Sequence, residues 1–159
     1  MSLNPERKQV LAVVGVGAGI GEAVARKFAA ENFVVALIAR TQQKLQRIQG
    51  VINTDHPNST KYYITDASNE DNVTSTFTAI KAELGPVNVL VYNAGLRRMT
   101  PRTILETSSE EFENFTKINM FGAFWASKAV LPDTLEAGKG TILCTGATGS
   151  LRGSSAVPG

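Results

Sequence analysis

Runs of apolar residues alternate along the chain with stretches that are apolar on one side only. Val10 to Val14 reads VLAVV, continuous and rich in β-branched residues, which suits a strand buried on both faces. FVVALIA over 33–39, VNVLVY over 87–92 and TILCT over 141–145 read the same way, and KYYIT over 61–65 is a less apolar strand. The intervening segments carry helical spacing. GEAVARKFAAE places Ile20, Ala23, Val24 and Phe28 on one face. Thr41 is positioned to cap a polar helix, TQQKLQRIQ, and INTDHPNST reads as a loop. Ser68 or Asn69 starts a helix bearing Val73, Phe77, Ile80 and Leu84, which Gly85-Pro86 ends. Ser108 with Glu111 forms a capping-box pattern before one long helix carrying Phe112, Phe115, Ile118, Phe121, Trp125 and Ala129. A turn at 138–140 leads to the last strand.

This β-α alternation, with strands too apolar for a one-faced sheet, predicts an α/β fold: an open parallel sheet of about five strands covered by helices on both sides. No repeat or linker divides the chain, so 1–159 reads as a single domain. The tail GATGSLRGSSAVPG shows no element of its own.

Composition narrows the function. A net charge of +2 with scattered Lys and Arg predicts no nucleic-acid partner. No apolar run approaches a membrane span, and the polar start MSLNPERKQ lacks the apolar centre of a signal peptide, so the expected location is cytoplasmic. One cysteine, Cys144, forbids an internal disulfide and is expected in the core. His56 stands alone in a Pro/Asn loop, and no metal site is expected.

The chemistry begins between the first strand and its helix. GVGAGIG places Gly15, Gly17, Gly19 and Gly21, with Ile20, at the point where a dinucleotide site needs glycine. The turn must lack a Cβ, the backbone must approach a diphosphate closely, and the helix must start tight against the strand. The helix amino end then offers N–H groups and partial positive charge to the anion.

The spacing G-x-x-x-G-x-G resembles the short-chain dehydrogenase/reductase family, whose TGxxxGIG signature stands here with Val14 in place of Thr. Its NNAG motif is matched by Tyr92-Asn93-Ala94-Gly95, and its acidic residue after the third strand by Asp66, followed by Ala67. The resemblance implies a three-layer Rossmann fold of strand order 3-2-1-4-5, lacking the later family strands and helices. Asp66 and Ala67 would hold the adenine edge, Asn93 would tie the central strands, and Ala94 and Gly95 would leave room for the adenosine ribose.

The end of the second strand selects the cofactor. NAD needs a carboxylate there for the ribose hydroxyls, whereas a 2′-phosphate needs a guanidinium. Arg40 stands there with Thr41 as a hydroxyl donor, so NADP(H) is favoured over NAD(H). The basic residue that many NADP members carry before the middle glycine is replaced by Ala18.

The family reaction is hydride transfer between nicotinamide and a small carbonyl or alcohol substrate. It uses a Tyr-x-x-x-Lys pair, a Ser and a helical Asn. The Lys is needed because a free phenol titrates near ~10, too high for a base at neutral pH. Asn119 matches the Asn. Counting back from Gly149 puts Gly146 at the Ser position, with Thr148 or, less well, Thr145 as a substitute. None of Tyr62, Tyr63 and Tyr92 has Lys four residues on, and the family Tyr falls at or past Gly159. Lys128 in ASK follows Trp125, which donates no catalytic proton, and reads as a solvated helix charge. The chain is therefore expected to be a shortened family member, inactive alone.

A non-catalytic nucleotide-binding or interaction module pairing with other copies is the alternative, and a homo-oligomer stays open. A methyltransferase would favour an acid where Arg40 sits. Phe112, Phe115, Phe121 and Trp125 are expected in the core or an interface. The fifth strand is expected to be an uncovered edge, giving poor solubility or dependence on a partner.

Overall fold

The computed structural model describes residues 8–96 and 103–147. Strand β1 (Val10–Val14) leads to α1 (Ile20–Ala30), β2 (Val34–Ala39) to α2 (Gln42–Asp55), and β3 (Thr60–Ile64) to α3 (Glu70–Glu83). Strand β4 (Val87–Tyr92) is followed by a short 3₁₀ turn (Ile104–Glu106), α4 (Ser109–Thr116), a π-helical turn (Lys117–Phe121), α5 (Gly122–Ala137) and β5 (Thr141–Cys144). The strands form one parallel sheet in the order β3-β2-β1-β4-β5, the α/β Rossmann arrangement expected from the sequence.

All five residues of β1 are buried because each face of the sheet is covered. Val10, Ala12 and Val14 pack with Phe77, Ile80, Ala126 and Val130 of α3 and α5. Leu11 and Val13 pack on the other side with Ala25, Ala29, Leu45, Ile48 and Ile52 of α1 and α2. Successive strand side chains point to opposite faces, so one continuous apolar run feeds both layers. The register of β1 against β4 slips between Val10 and Leu11. Asn88 repairs the slip, its side-chain oxygen accepting the Val10 N–H at 2.8 Å.

Several local expectations change. Helix α2 runs to Asp55, through the first four residues of the expected loop. The buried series Leu45, Ile48, Ile52 continues the helical face there, and Asn53 accepts from the Thr60 N–H and hydroxyl to join α2 to β3. Thr41 is the N-cap of α2, but its hydroxyl makes no capping bond. In α1 the fully buried residues are Gly21, Ala25 and Ala29, and Ile20 is 61% exposed, because close approach to the sheet takes the small residues. The long helix after Ser108 is interrupted by the π-turn. Phe112 and Phe121 are exposed, so neither belongs to the core. Cys144 is exposed as well, because β5 stands at the sheet edge with all four residues uncovered.

Candidate functional site

The carboxyl ends of β1, β2 and β4 and the start of α2 enclose a cleft of about 230 Å³. Its floor is the glycine turn after β1. The Gly15 and Val16 N–H groups both donate to the Ile38 carbonyl, at 2.8 and 3.1 Å, which folds the chain back sharply. Gly15 has φ +89°, and a Cβ there would overlap the Ala94 backbone. Further along, a Cβ on Gly21 would lie 2.7 Å from the Gly15 carbonyl, so α1 and the turn touch backbone to backbone. Gly19 is the N-cap of α1 and supplies no capping side chain. A Cβ built on Gly17 meets nothing within 4 Å.

Asn93 locks this floor to its neighbours. Its N–H donates to the Val14 carbonyl at 2.8 Å and its side-chain amide to the Gly15 carbonyl at 2.9 Å. Its side-chain oxygen accepts from the Thr145 hydroxyl at 3.1 Å. One residue thus joins the ends of β1, β4 and β5.

Arg40 and Thr41 line the wall beyond β2, and Lys44 joins them from the first turn of α2. Sequence reading missed Lys44. Its signal was the spacing of four from Arg40, which becomes a shared wall once α2 starts at Gln42. Across the cleft, the Asp66 carboxylate accepts from the Ser68 N–H at 2.9 Å and hydroxyl at 2.7 Å. The Ser68 backbone bond chiefly, then its hydroxyl and the charge of Arg40, hold the Asp66 carboxyl below the ordinary range against the opposing effect of burial. Ala67, Ala94 and Gly95 complete the lining. Of the residues singled out for the cofactor, Gly19, Ile20 and Gly21 stand outside the cleft lining, at the amino end of α1.

Beyond Gly95, the π-turn contributes Ile118 to the lining. Asn119, in the same turn, accepts the Leu96 N–H on its side-chain oxygen at 3.0 Å. Such single π-turns inside α-helices recur at functional sites. The Tyr92 hydroxyl donates to the Ile118 carbonyl. Burial, then the neighbouring Cys144 and Asp66, push the Tyr92 phenol far above its ordinary range, so it stays a protonated donor.

Gly146 is exposed just past β5 and brings no side chain to the site. Thr145 spends its hydroxyl on Asn93. Thr148 lies outside the described residues. Lys128 is exposed, with Glu70 at 3.8 Å. Among the described residues, no group of three or more His, Cys, Asp and Glu side chains is placed to hold a metal. No described helix is long and apolar enough to cross a membrane.

A sequence model of the family described as short chain dehydrogenase matches residues 9–158. Short-chain dehydrogenase/reductase 3 of Bos taurus is 31% identical over 154 residues, covering 96% of this chain and 49% of that protein. The chain therefore spans about half the length of this curated relative. An alcohol dehydrogenase of the archaeon Thermococcus sibiricus, complexed with 5-hydroxy-NADP, superposes with a TM-score of 0.86 at 30% identity, over 94% of this chain and 62% of that one. Actinorhodin polyketide ketoreductase with NADPH gives 0.86 at 27% identity, over 94% and 57%.

Proposed function

This chain belongs to the short chain dehydrogenase family, and from that premise we propose that it binds NADP(H) in the cleft described above. The whole protein then serves hydride transfer between nicotinamide and a small carbonyl or alcohol substrate. The observation that carries the reading is the uncapped amino end of α1 beside a turn whose Gly15 has no room for a Cβ. A diphosphate there meets backbone N–H groups and the positive end of the helix dipole. The open space at Gly17 is where a side chain would block it.

Arg40 and Lys44 support the 2′-phosphate form. Both line the same wall, and the capping position beside them leaves the Thr41 hydroxyl uncommitted to the helix. A guanidinium offers a planar fork of donors, and the ammonium adds a second positive charge. Asp66, anchored by Ser68, presents its carboxylate to the adenine edge while Ala67, Ala94 and Gly95 keep the wall low for the ribose. The two neighbours solved with 5-hydroxy-NADP and NADPH add weight to this choice.

When bound, the nicotinamide gives or takes the hydride. This chain's part is to hold the diphosphate at α1, hold the ribose phosphate at Arg40 and Lys44, and place Asn119 at the nicotinamide end. The proton requires another group. The 159 residues contain no Tyr with Lys four positions on, and Gly146 stands at the Ser position. The alternative reading is a nucleotide-binding module without turnover that pairs with other copies.

Calorimetric titration with NADPH and NADH tests the binding, and NADPH oxidation in the presence of carbonyl compounds separates the two readings. The 159-residue chain is expected to bind NADPH and to leave carbonyls unreduced. Steady NADPH-dependent carbonyl reduction by the purified chain would refute the assignment of the proton-transfer group to residues outside it.

A further inference from the structure

The π-turn that carries Asn119 has a partner on the sheet. In an α-helix the Gly122 N–H would donate to the Ile118 carbonyl. Here it donates to the Lys117 carbonyl instead, and the Ile118 carbonyl loses its helical donor. The Tyr92 hydroxyl, from the last residue of β4, donates to that carbonyl. The fit leaves no slack: Tyr92 is 3% exposed, and a Cβ on Gly122 would overlap both the Tyr92 hydroxyl and the Ala67 carbonyl. Two residues of the turn then reach the cleft region. Ile118 lines the cleft, and Asn119 holds the Leu96 N–H at 3.0 Å.

We propose that Tyr92 is a positioning residue: its hydroxyl, admitted by Gly122, stabilises the slipped hydrogen-bond register at Ile118 and so sets where Ile118 and Asn119 stand relative to the cofactor cleft. Tyr92 touches neither cofactor nor substrate in this role. It acts through the backbone of the turn. A hydroxyl whose only task was to fill the core could be removed without moving Asn119. One bound to the diverted carbonyl cannot, because a half-buried carbonyl without a donor drives the helix back toward its ordinary pairing. The consequence for cofactor affinity rests on the NADP(H) reading above, whereas the geometry of the turn does not.

The test compares Tyr92→Phe with Leu90→Val, a core change on the same strand that leaves the hydroxyl in place, using the isotopically labelled 159-residue chain. In Tyr92→Phe, the Leu96 amide, the Asn119 side-chain amide and the Gly122 amide are expected to shift as the Gly122 N–H returns toward the Ile118 carbonyl. Leu90→Val is expected to lower the thermal midpoint without these changes. NADPH affinity is expected to fall about fivefold in Tyr92→Phe and to hold in Leu90→Val. Unchanged Leu96 and Asn119 signals in Tyr92→Phe, or equal changes in both variants, would overturn the proposal. So would unchanged NADPH affinity in Tyr92→Phe when the parent chain binds NADPH. If the parent chain binds no NADPH while the spectral changes appear, the NADP(H) reading fails and the positioning of the turn by Tyr92 is supported.

Discussion

Substituting Gly15 by Ala tests the turn on which the site is built, with Gly17→Ala as its counterpart two residues away. Gly15 sits at φ +89°, and a new Cβ would overlap the Ala94 backbone. The positive φ alone costs an L-residue about 1–2 kcal/mol. Relief by moving the β4 exit opposes two hydrogen bonds, Asn93 N–H to Val14 at 2.8 Å and the Asn93 side chain to Gly15 at 2.9 Å. Each is worth about 0.5–1.5 kcal/mol net, so the total loss should be about 2–5 kcal/mol. That is a large share of the roughly 5–15 kcal/mol that holds an ordinary domain together. Gly17 has no left-handed φ and nothing within 4 Å of a built Cβ. Its substitution should change stability by no more than about 0.5 kcal/mol. The same methyl would intrude where the diphosphate approaches, so NADPH affinity should fall about tenfold, equivalent to ~1.4 kcal/mol. Urea unfolding followed by circular dichroism measures the first effect, and calorimetric titration the second. A Gly15→Ala loss below about 1 kcal/mol, or an equal loss for Gly17→Ala, would refute the close-approach argument.

Arg40→Ala should weaken NADPH by about 10- to 100-fold, the worth of a charge-assisted hydrogen bond of ~1.5–3 kcal/mol, and leave NADH nearly unchanged in the same titration. Asn93→Ala strips the side chain from the junction of β1, β4 and β5 and should cost about 1–3 kcal/mol in urea unfolding, because the Gly15 carbonyl loses its donor. Asp66 has its carboxyl held below the ordinary range, chiefly by the Ser68 N–H. Its ionised form therefore stabilises the fold above the ordinary aspartate value near ~3.9, and that contribution disappears as pH falls through the lower folded value. Asp66→Asn should flatten the acid side of the stability curve below about pH 4, and an unaltered curve in urea titrations across that range would count against the Ser68 anchor.

Much of the architecture was legible because its causes are local. The VLAVV run suits a strand covered on both faces, and the glycines after it allow the tight turn and close backbone packing at the strand–helix junction. Asn93, Ala94 and Gly95 were recognisable as a group, and the structure brings Asn93 and Ala94 against Gly15 from a different strand. Other features depend on what chain-distant neighbours do. The one-residue slip moves the buried face to Gly122, Ala126 and Val130, one position past the Phe121, Trp125 and Ala129 that periodicity alone selects. Its stabilising donor, Tyr92, comes from a strand 26 residues earlier. Turn-forming residues masked the last turn of α2, where Asn53 faces β3 rather than solvent. Lys44 reads as one more surface cation until the first turn of α2 brings it to the wall that holds Arg40. Cys144 has the composition of a core residue, but β5 is at the sheet edge and the cysteine is uncovered.

In the proposed binding mode, the amino end of α1 and the Arg40–Lys44 wall together hold a phosphorylated dinucleotide. Parallel calorimetric titrations of the folded 159-residue chain with NADPH and NADH test it most directly. NADPH should bind at least tenfold more tightly than NADH, and Arg40→Ala combined with Lys44→Ala should erase that difference. Heats indistinguishable from dilution for both nucleotides, with no rise in thermal midpoint, would contradict it.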